Sequence, residues 1–86
     1  MAVVTLRGPL KKFAEGRADH PVEGAHVREA LQALERAQPA LGGWILDERG
    51  LIRRHINVFV NGEYAEEDTA IGEHDRIDVL PAISGG

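Results

Sequence analysis

The spacing of apolar residues along the chain changes from strand-like to helical and back again. Val3-Val4-Thr5-Leu6-Arg7 is rich in β-branched residues and reads as a strand, which Gly8-Pro9 ends. Arg17 to Glu23 reads as a weaker second strand. Pro21 within it lacks an N–H and assigns it to a sheet edge. Leu10 to Gly16 would then be the loop of a hairpin. From Ala25 onward Val27, Ala30, Leu31, Leu34 and Ala37 recur at steps of three and four, the period of one helix face. Arg28, Glu29, Glu35 and Arg36 fall on its other faces and read as solvated. Pro39 stops this helix, and Leu41, Trp44, Ile45 and Leu46 are expected to fold back over the core.

Arg53 to Val60 is the clearest strand, with Ile56, Val58 and Val60 on one face and His55, Asn57 and Phe59 on the other. Asn61-Gly62 signals a two-residue hairpin turn, returning through Glu63-Tyr64-Ala65. Thr69-Ala70-Ile71 reads as a turn or one helical twist. The last strand spans Arg76 to Pro81, with Ile77 and Val79 inward and Asp78 and Leu80 outward. One helix among four or five strands covers only one sheet face. The expected architecture is α+β: a mixed sheet wrapped on the helix, its first and last strands parallel in the centre. That is the β-grasp, or ubiquitin-like, arrangement, here as one domain over residues 1–86 with 82–86 as a mobile tail.

Composition narrows the chemistry. The 86 residues are 43% hydrophobic and 28% charged, as suits a folded domain with one modest core. The absence of cysteine excludes disulfides, thiolate metal sites and a cysteine nucleophile. With no apolar run near the roughly 20 residues of a membrane span and no signal-peptide pattern at Met1 to Arg7, a cytoplasmic protein without a membrane partner is expected. A net charge of −4, with Lys11-Lys12 and Arg53-Arg54 as the only basic doublets, argues against nucleic acid and suits a basic protein surface.

The chain closes on Val79-Leu80-Pro81-Ala82-Ile83-Ser84-Gly85-Gly86. Glycines have no side chain to pack or react, so what the ending presents is the α-carboxylate of Gly86. Glycine passes a narrow channel without a Cβ, and Pro81 ends the sheet pairing and favours an extended tail. Taken alone, the dipeptide more often marks a frayed end. Directly after the last strand of this pattern it points to function.

That ending resembles the bacterial sulfur-carrier family, which includes MoaD-like, ThiS-like and CysO-like proteins. Leu80 to Gly86 is similar to the LPAVAGG ending of the cysteine-forming, CysO-like branch, and Ile45 to Gly62 resembles that branch's loop, strand and turn. Many members carry Gly-Asp before the last strand, where this chain has His74-Asp75 after Gly72-Glu73. The resemblance implies a carrier and substrate, not an enzyme. Gly86 would be adenylated by an E1-like (MoeB/ThiF-like) enzyme consuming ATP, then converted to a thiocarboxylate. Ile83, Ser84 and Gly85 would thread into the partner, and sulfur would pass to a synthase, with cysteine synthesis favoured. A metalloprotease would release the product. The alternatives are a molybdopterin synthase small subunit, a ubiquitin-like modifier joined to lysines, and a plain interaction module.

Phe59 and Leu80, on adjacent strands and one face, with Pro81 beside them, suggest a docking patch on the open sheet. His20, His26, His55 and His74 lack the spacing of a metal site, and no bound cofactor or metal is expected. Ser84 has no base near it in sequence. Arg53, Arg54 and Arg76 can meet carboxylates on a partner, though solvated faces carry such residues routinely.

Overall fold

Alternation of buried and exposed positions builds the sheet. The computed structural model describes residues 1–81, and within them lie β1 (Ala2–Leu6), β2 (Asp19–Val22), α1 (Val27–Ala37), β3 (Ile56–Val60), β4 (Glu63–Tyr64) and β5 (Arg76–Pro81). Two 3-10 helices, Gly8–Ala14 and Pro39–Leu41, join them. The strands form one five-stranded sheet in the order β2-β1-β5-β3-β4. β1 and β5 pair in parallel at its centre, Val4 beside Ile77 and Leu6 beside Val79. Every other pairing is antiparallel. The expected mixed sheet on one helix is observed, with β2 and its Pro21 at the edge.

The helix lies on one face. Val27, Ala30, Leu31 and Leu34 are fully buried against Val4, Leu6, Val58, Ile77 and Val79. Ala37, expected on that stripe, is exposed, because the final turn extends past the buried layer. The N-terminal cap is tertiary. His26 gives no side-chain cap; instead the N–H groups of Val27 and Arg28 donate to the carbonyls of Thr69 and Glu67 at 2.9 Å. Glu29 accepts the Ala25 N–H at 2.9 Å, so the orphan donors of the first turn are satisfied from a loop far along the chain. The Thr69-Ala70-Ile71 turn is therefore the seam that closes the helix start, with Ala70 bridged to His26.

Three local expectations change. Leu10 to Gly16 is not an open hairpin loop, because Gly8–Ala14 winds into a 3-10 helix that buries Leu10 and Ala14. Leu41, Ile45 and Leu46 cover the core as expected, but Trp44 turns outward, 47% exposed, and stacks on Phe13 at 4.5 Å. Arg53 to His55 precede β3 rather than belonging to it; the Arg53 N–H donates to the Ile45 carbonyl and the Ile56 N–H to the Arg53 carbonyl. Two polar helix residues are also less solvated than their spacing suggests. Arg28 Nε donates to the Gly50 carbonyl at 3.2 Å, and Glu35 accepts the Leu46 N–H at 3.3 Å. Burial pushes the Glu35 carboxyl up, opposed by that N–H and by the Arg53 guanidinium.

The β3–β4 turn is tied to the start of β5. Asn61 and Gly62 both take positive φ, 51° and 87°, as a two-residue turn matching strand twist requires. The Asn61 side chain then donates to Asp75 at 2.9 Å and accepts the Arg76 N–H at 3.0 Å. Asp75 also accepts the Gly72 N–H at 2.7 Å, so His74-Asp75 closes its own turn despite departing from the family's Gly-Asp pattern. The Gly72 N–H and then the Asn61 amide hold the Asp75 carboxyl below its usual range.

A depressed folded-state pKa stabilises above the unfolded value, near 3.9, and that contribution fades as pH falls through the folded value. Asp75→Asn should therefore lower the Tm at pH 7, with the gap from wild type closing as pH drops below about 4, measured by circular dichroism melts across pH. Leu34→Ala, at a fully buried position, should lose about 2 to 5 kcal/mol in urea unfolding.

Candidate functional site

The face of the sheet opposite α1 is partly open. Alternation places Val3, Thr5, Arg76, Asp78, Leu80, Asn57, Phe59 and Tyr64 on it, and the register sets Phe59 opposite both Asp78 and Tyr64 and Asn57 opposite Leu80. The structure thus brings Phe59 and Leu80 onto one face as diagonal neighbours across β3 and β5. Both are half-buried. The exposed aromatic is Tyr64, 66% accessible, which meets the Phe59 ring edge-on at 5.9 Å. Tyr64 was legible in principle: a two-residue turn at Asn61-Gly62 fixes its pairing with Phe59.

Beside the aromatic pair lies a charged row. Asp78 accepts from Arg7 at 3.2 Å and stands 3.5 Å from Arg76. Thr5 is buried and donates to Asp19 at 2.9 Å. Such exposed ion pairs contribute little stability, but they fix the polar half of the face next to its aromatic half.

Pro81 does not share this face. It has the parity of Ile77 and Val79, pairs with Ile56, and sits at the core-side rim. There it adjoins Gly8, where an added Cβ would lie 3.8 Å from Pro81 Cδ. The chain leaves the sheet at that point toward residues 82–86. Ile83, Ser84, Gly85 and Gly86, and the mobile tail expected over 82–86, lie outside the described residues.

Among the described residues no group of histidines and carboxylates is arranged to hold a metal, and no helix is long and apolar enough to cross a membrane. His20 is buried and bonds the Arg17 carbonyl through Nε2 at 2.9 Å. His26 lies 3.5 Å from Glu29, and His55 and His74 are exposed and apart in sequence. The described part of the site is an open sheet face with an aromatic pair beside an ion-paired row, and the reactive group is expected beyond it.

Comparisons with known proteins agree with this geometry. A family model described as the ThiS family matches residues 4–86. Small archaeal modifier protein 1 of Haloferax volcanii is 40% identical over 62 residues, covering 72% of this chain and 71% of the relative. Its crystal structure superposes with a TM-score of 0.83 at 36% identity, over 99% of this chain and 98% of that one. A chain of the Amycolatopsis orientalis BexX/CysO complex shares the fold, with a TM-score of 0.89 at 24% identity and full coverage of both chains.

Gly8 is where the tail-end geometry is most constrained. Its φ of +62° is left-handed, whereas the contact a Cβ would make with Pro81 is ordinary van der Waals distance. The backbone, not a clash, therefore sets the penalty, and Gly8→Ala should destabilise by about 1 to 2 kcal/mol in urea unfolding.

Proposed function

The chain belongs to the ThiS family, and from that premise we propose that it carries sulfur on the carboxyl group of Gly86. Proteins of this small ubiquitin-fold carrier and modifier class are substrates for other enzymes, and this chain is one of them. With Gly86 as the terminal residue, its α-carboxyl is ionised at neutral pH, with a pKa of roughly 3.3 to 3.7, and is a poor electrophile. An E1-like enzyme uses ATP to activate it: a carboxylate oxygen attacks the α-phosphorus, pyrophosphate leaves, and an acyl-adenylate forms. A sulfur donor then attacks the carbonyl carbon and AMP leaves, giving a thiocarboxylate. That sulfur passes to an acceptor synthase, with cysteine synthesis as the favoured destination and a metalloprotease releasing the product.

The observation that carries this proposal is a family match running through to Gly86, on a chain whose last strand leaves the centre of the sheet at Pro81. Ile83, Ser84 and Gly85 thread into the partner's active site. Phe59 and Leu80, with Tyr64, form the patch on which the partner docks, while Pro81 ends the sheet pairing behind them. A chain of this fold occurring in a BexX/CysO complex supports a protein partner for the carrier. A second proposal, attachment to lysines of other proteins, draws support from the relative named as a modifier. Both share the activated tail.

Incubation with an E1-like enzyme, ATP and a sulfide source should replace one oxygen of Gly86 by sulfur, read by intact-protein mass spectrometry, and deletion of Gly86 should abolish this with the fold intact. An unchanged mass with wild type would overturn the proposal. The double variant Phe59→Ala, Leu80→Ala should raise the KM for carrier in the adenylation assay at least about tenfold, while a ladder of larger species on immunoblots would favour the modifier role.

A further inference from the structure

The chain's net charge is −4, yet its free cations are gathered at one end. Arg7, Arg28, Arg49 and Arg76 each have a carboxylate within 4.0 Å. Among the described residues Lys11, Lys12, Arg17, Arg36 and Arg54 are exposed and have none. All five belong to the end of the sheet where β5 finishes.

Topology places them there. The 3-10 helix carrying Lys11 and Lys12 follows the end of β1, which runs parallel to β5, and its Gly8 adjoins Pro81. Arg17 follows that helix, its N–H bonded to the Ala14 carbonyl. Arg36 lies in the last turn of α1, which leads into the second 3-10 helix, packed on the first. Arg54 precedes Ile56, the residue across the ladder from Pro81. Phe13 stacks on Trp44, and the Ile45 carbonyl receives the Arg53 N–H, so the two basic doublets of the sequence are joined through one aromatic pair.

The carboxylates nearby are mostly engaged. Asp47 holds Arg49 at 2.9 Å, Asp78 holds Arg7 and Arg76, and Glu35 accepts the Leu46 N–H. Glu15 and Glu48 are exposed exceptions, as are Glu66, which shares a pocket with Arg54, and Glu23, which shares a groove with Arg17 and Arg36. Exposed acids without a cation, such as Glu63 and Glu73, sit instead on the β3–β4 turn and on the loop before β5, at the far end.

We propose that this basic collar docks on a protein surface rich in carboxylates around the opening that receives the tail. The inference rests on the sulfur-carrier proposal and adds the sign of the partner's surface, opposite to that expected from net charge alone. A cationic front on an anionic body gives the carrier a dipole along β5. It turns the tail toward an acidic mouth before contact, which raises the association rate. The same charge separation disfavours nucleic acid, whose continuous phosphate charge would repel the acidic remainder.

The test measures association of wild type and the triple variant Lys11→Glu, Lys12→Glu, Arg54→Glu with the E1-like adenylating enzyme by stopped-flow, across ionic strength. The variant should associate at least about tenfold more slowly at low salt, and the gap should close near 1 M, where screening extends only about 3 Å. Glu63→Lys, Glu73→Lys at the opposite end should associate no more slowly than wild type, and all three should give the same melting curve. Equal rates for wild type and the triple variant, with wild type adenylated normally, would overturn the collar alone. Failure of wild type to be adenylated would remove both proposals. Binding of labelled single- or double-stranded oligonucleotides that charge reversal abolishes would assign the collar to nucleic acid and overturn its role toward a protein.

Discussion

Parallel pairing of the first and last strands is the constraint from which the rest of the architecture follows. Val4 lies beside Ile77 and Leu6 beside Val79, both pairs fully or nearly buried, so the hydrophobic core is incomplete until nearly the whole chain is made. Parallel neighbours cannot be joined by a tight turn. Everything between them must cross over, and α1 does so on one face, burying Leu31 and Leu34 against the strands it connects. The same pairing directs β1 and β5 out of the sheet at the same end. That end also carries the first 3-10 helix, where Gly8 takes a left-handed conformation beside Pro81. β5 is hydrogen-bonded on both sides, by β1 and by β3, so it is a central strand and not an edge.

Most of the fold was legible because period carries most of the information. Strict alternation in Ile56-Asn57-Val58-Phe59-Val60 and in Arg76 to Leu80, the three-and-four spacing of Val27 to Leu34, and Asn61-Gly62 are each statements about one local geometry, and each was realised. What was not legible depends on partners distant in sequence. The start of α1 is capped by the carbonyls of Glu67 and Thr69 rather than by its own side chains. Trp44 sits among apolar residues that do enter the core, and only the position of Phe13 across the molecule explains why it stays outside. Gly8 to Ala14 has turn punctuation in front of it and too few residues to show a helical period, so its 3-10 winding is set by burial of Leu10 and Ala14. For the candidate site, the shared face of Phe59 and Leu80 followed from alternation alone. The same alternation sets Pro81 on the opposite side, and its adjacency to Leu80 in sequence concealed that. The tail residues Ile83 to Gly86 lie outside the described residues.

The open sheet face and the end of the sheet where β5 finishes differ in physical kind. The open sheet face presents a rigid aromatic pair beside a fixed ion-pair row, with Phe59, Tyr64, Asp78, Arg7 and Arg76 mutually positioned by β register. Such a surface discriminates by shape, and its energy is concentrated in a few desolvated contacts. The tail end presents unpaired, flexible cations on helix ends and loops, which act at long range and are screened by salt. In general, contacts of the first kind govern how long a complex lasts, and charges of the second kind how quickly and in which orientation it forms.

How an acidic chain comes to have a basic end follows from how its carboxylates are used. Carboxylates accept hydrogen bonds and so can satisfy orphan backbone donors, which lysine and arginine cannot do. Glu29 serves the Ala25 N–H, Glu35 that of Leu46, Asp47 those of Arg49 and Leu51, Glu67 that of Ile52, and Asp75 that of Gly72. Each of these positions is dictated by a turn or a helix start, so a large part of the negative charge is placed by backbone geometry. Arg28 is the cation with a comparable duty, on the Gly50 carbonyl. Arg7 and Arg76 answer to Asp78 and Arg49 to Asp47, and the remaining cations are placed with fewer demands from folding. Five of them nevertheless stand exposed at the end where the chain leaves the sheet. Folding accounts for where these acids are and leaves the position of the unpaired bases to other demands.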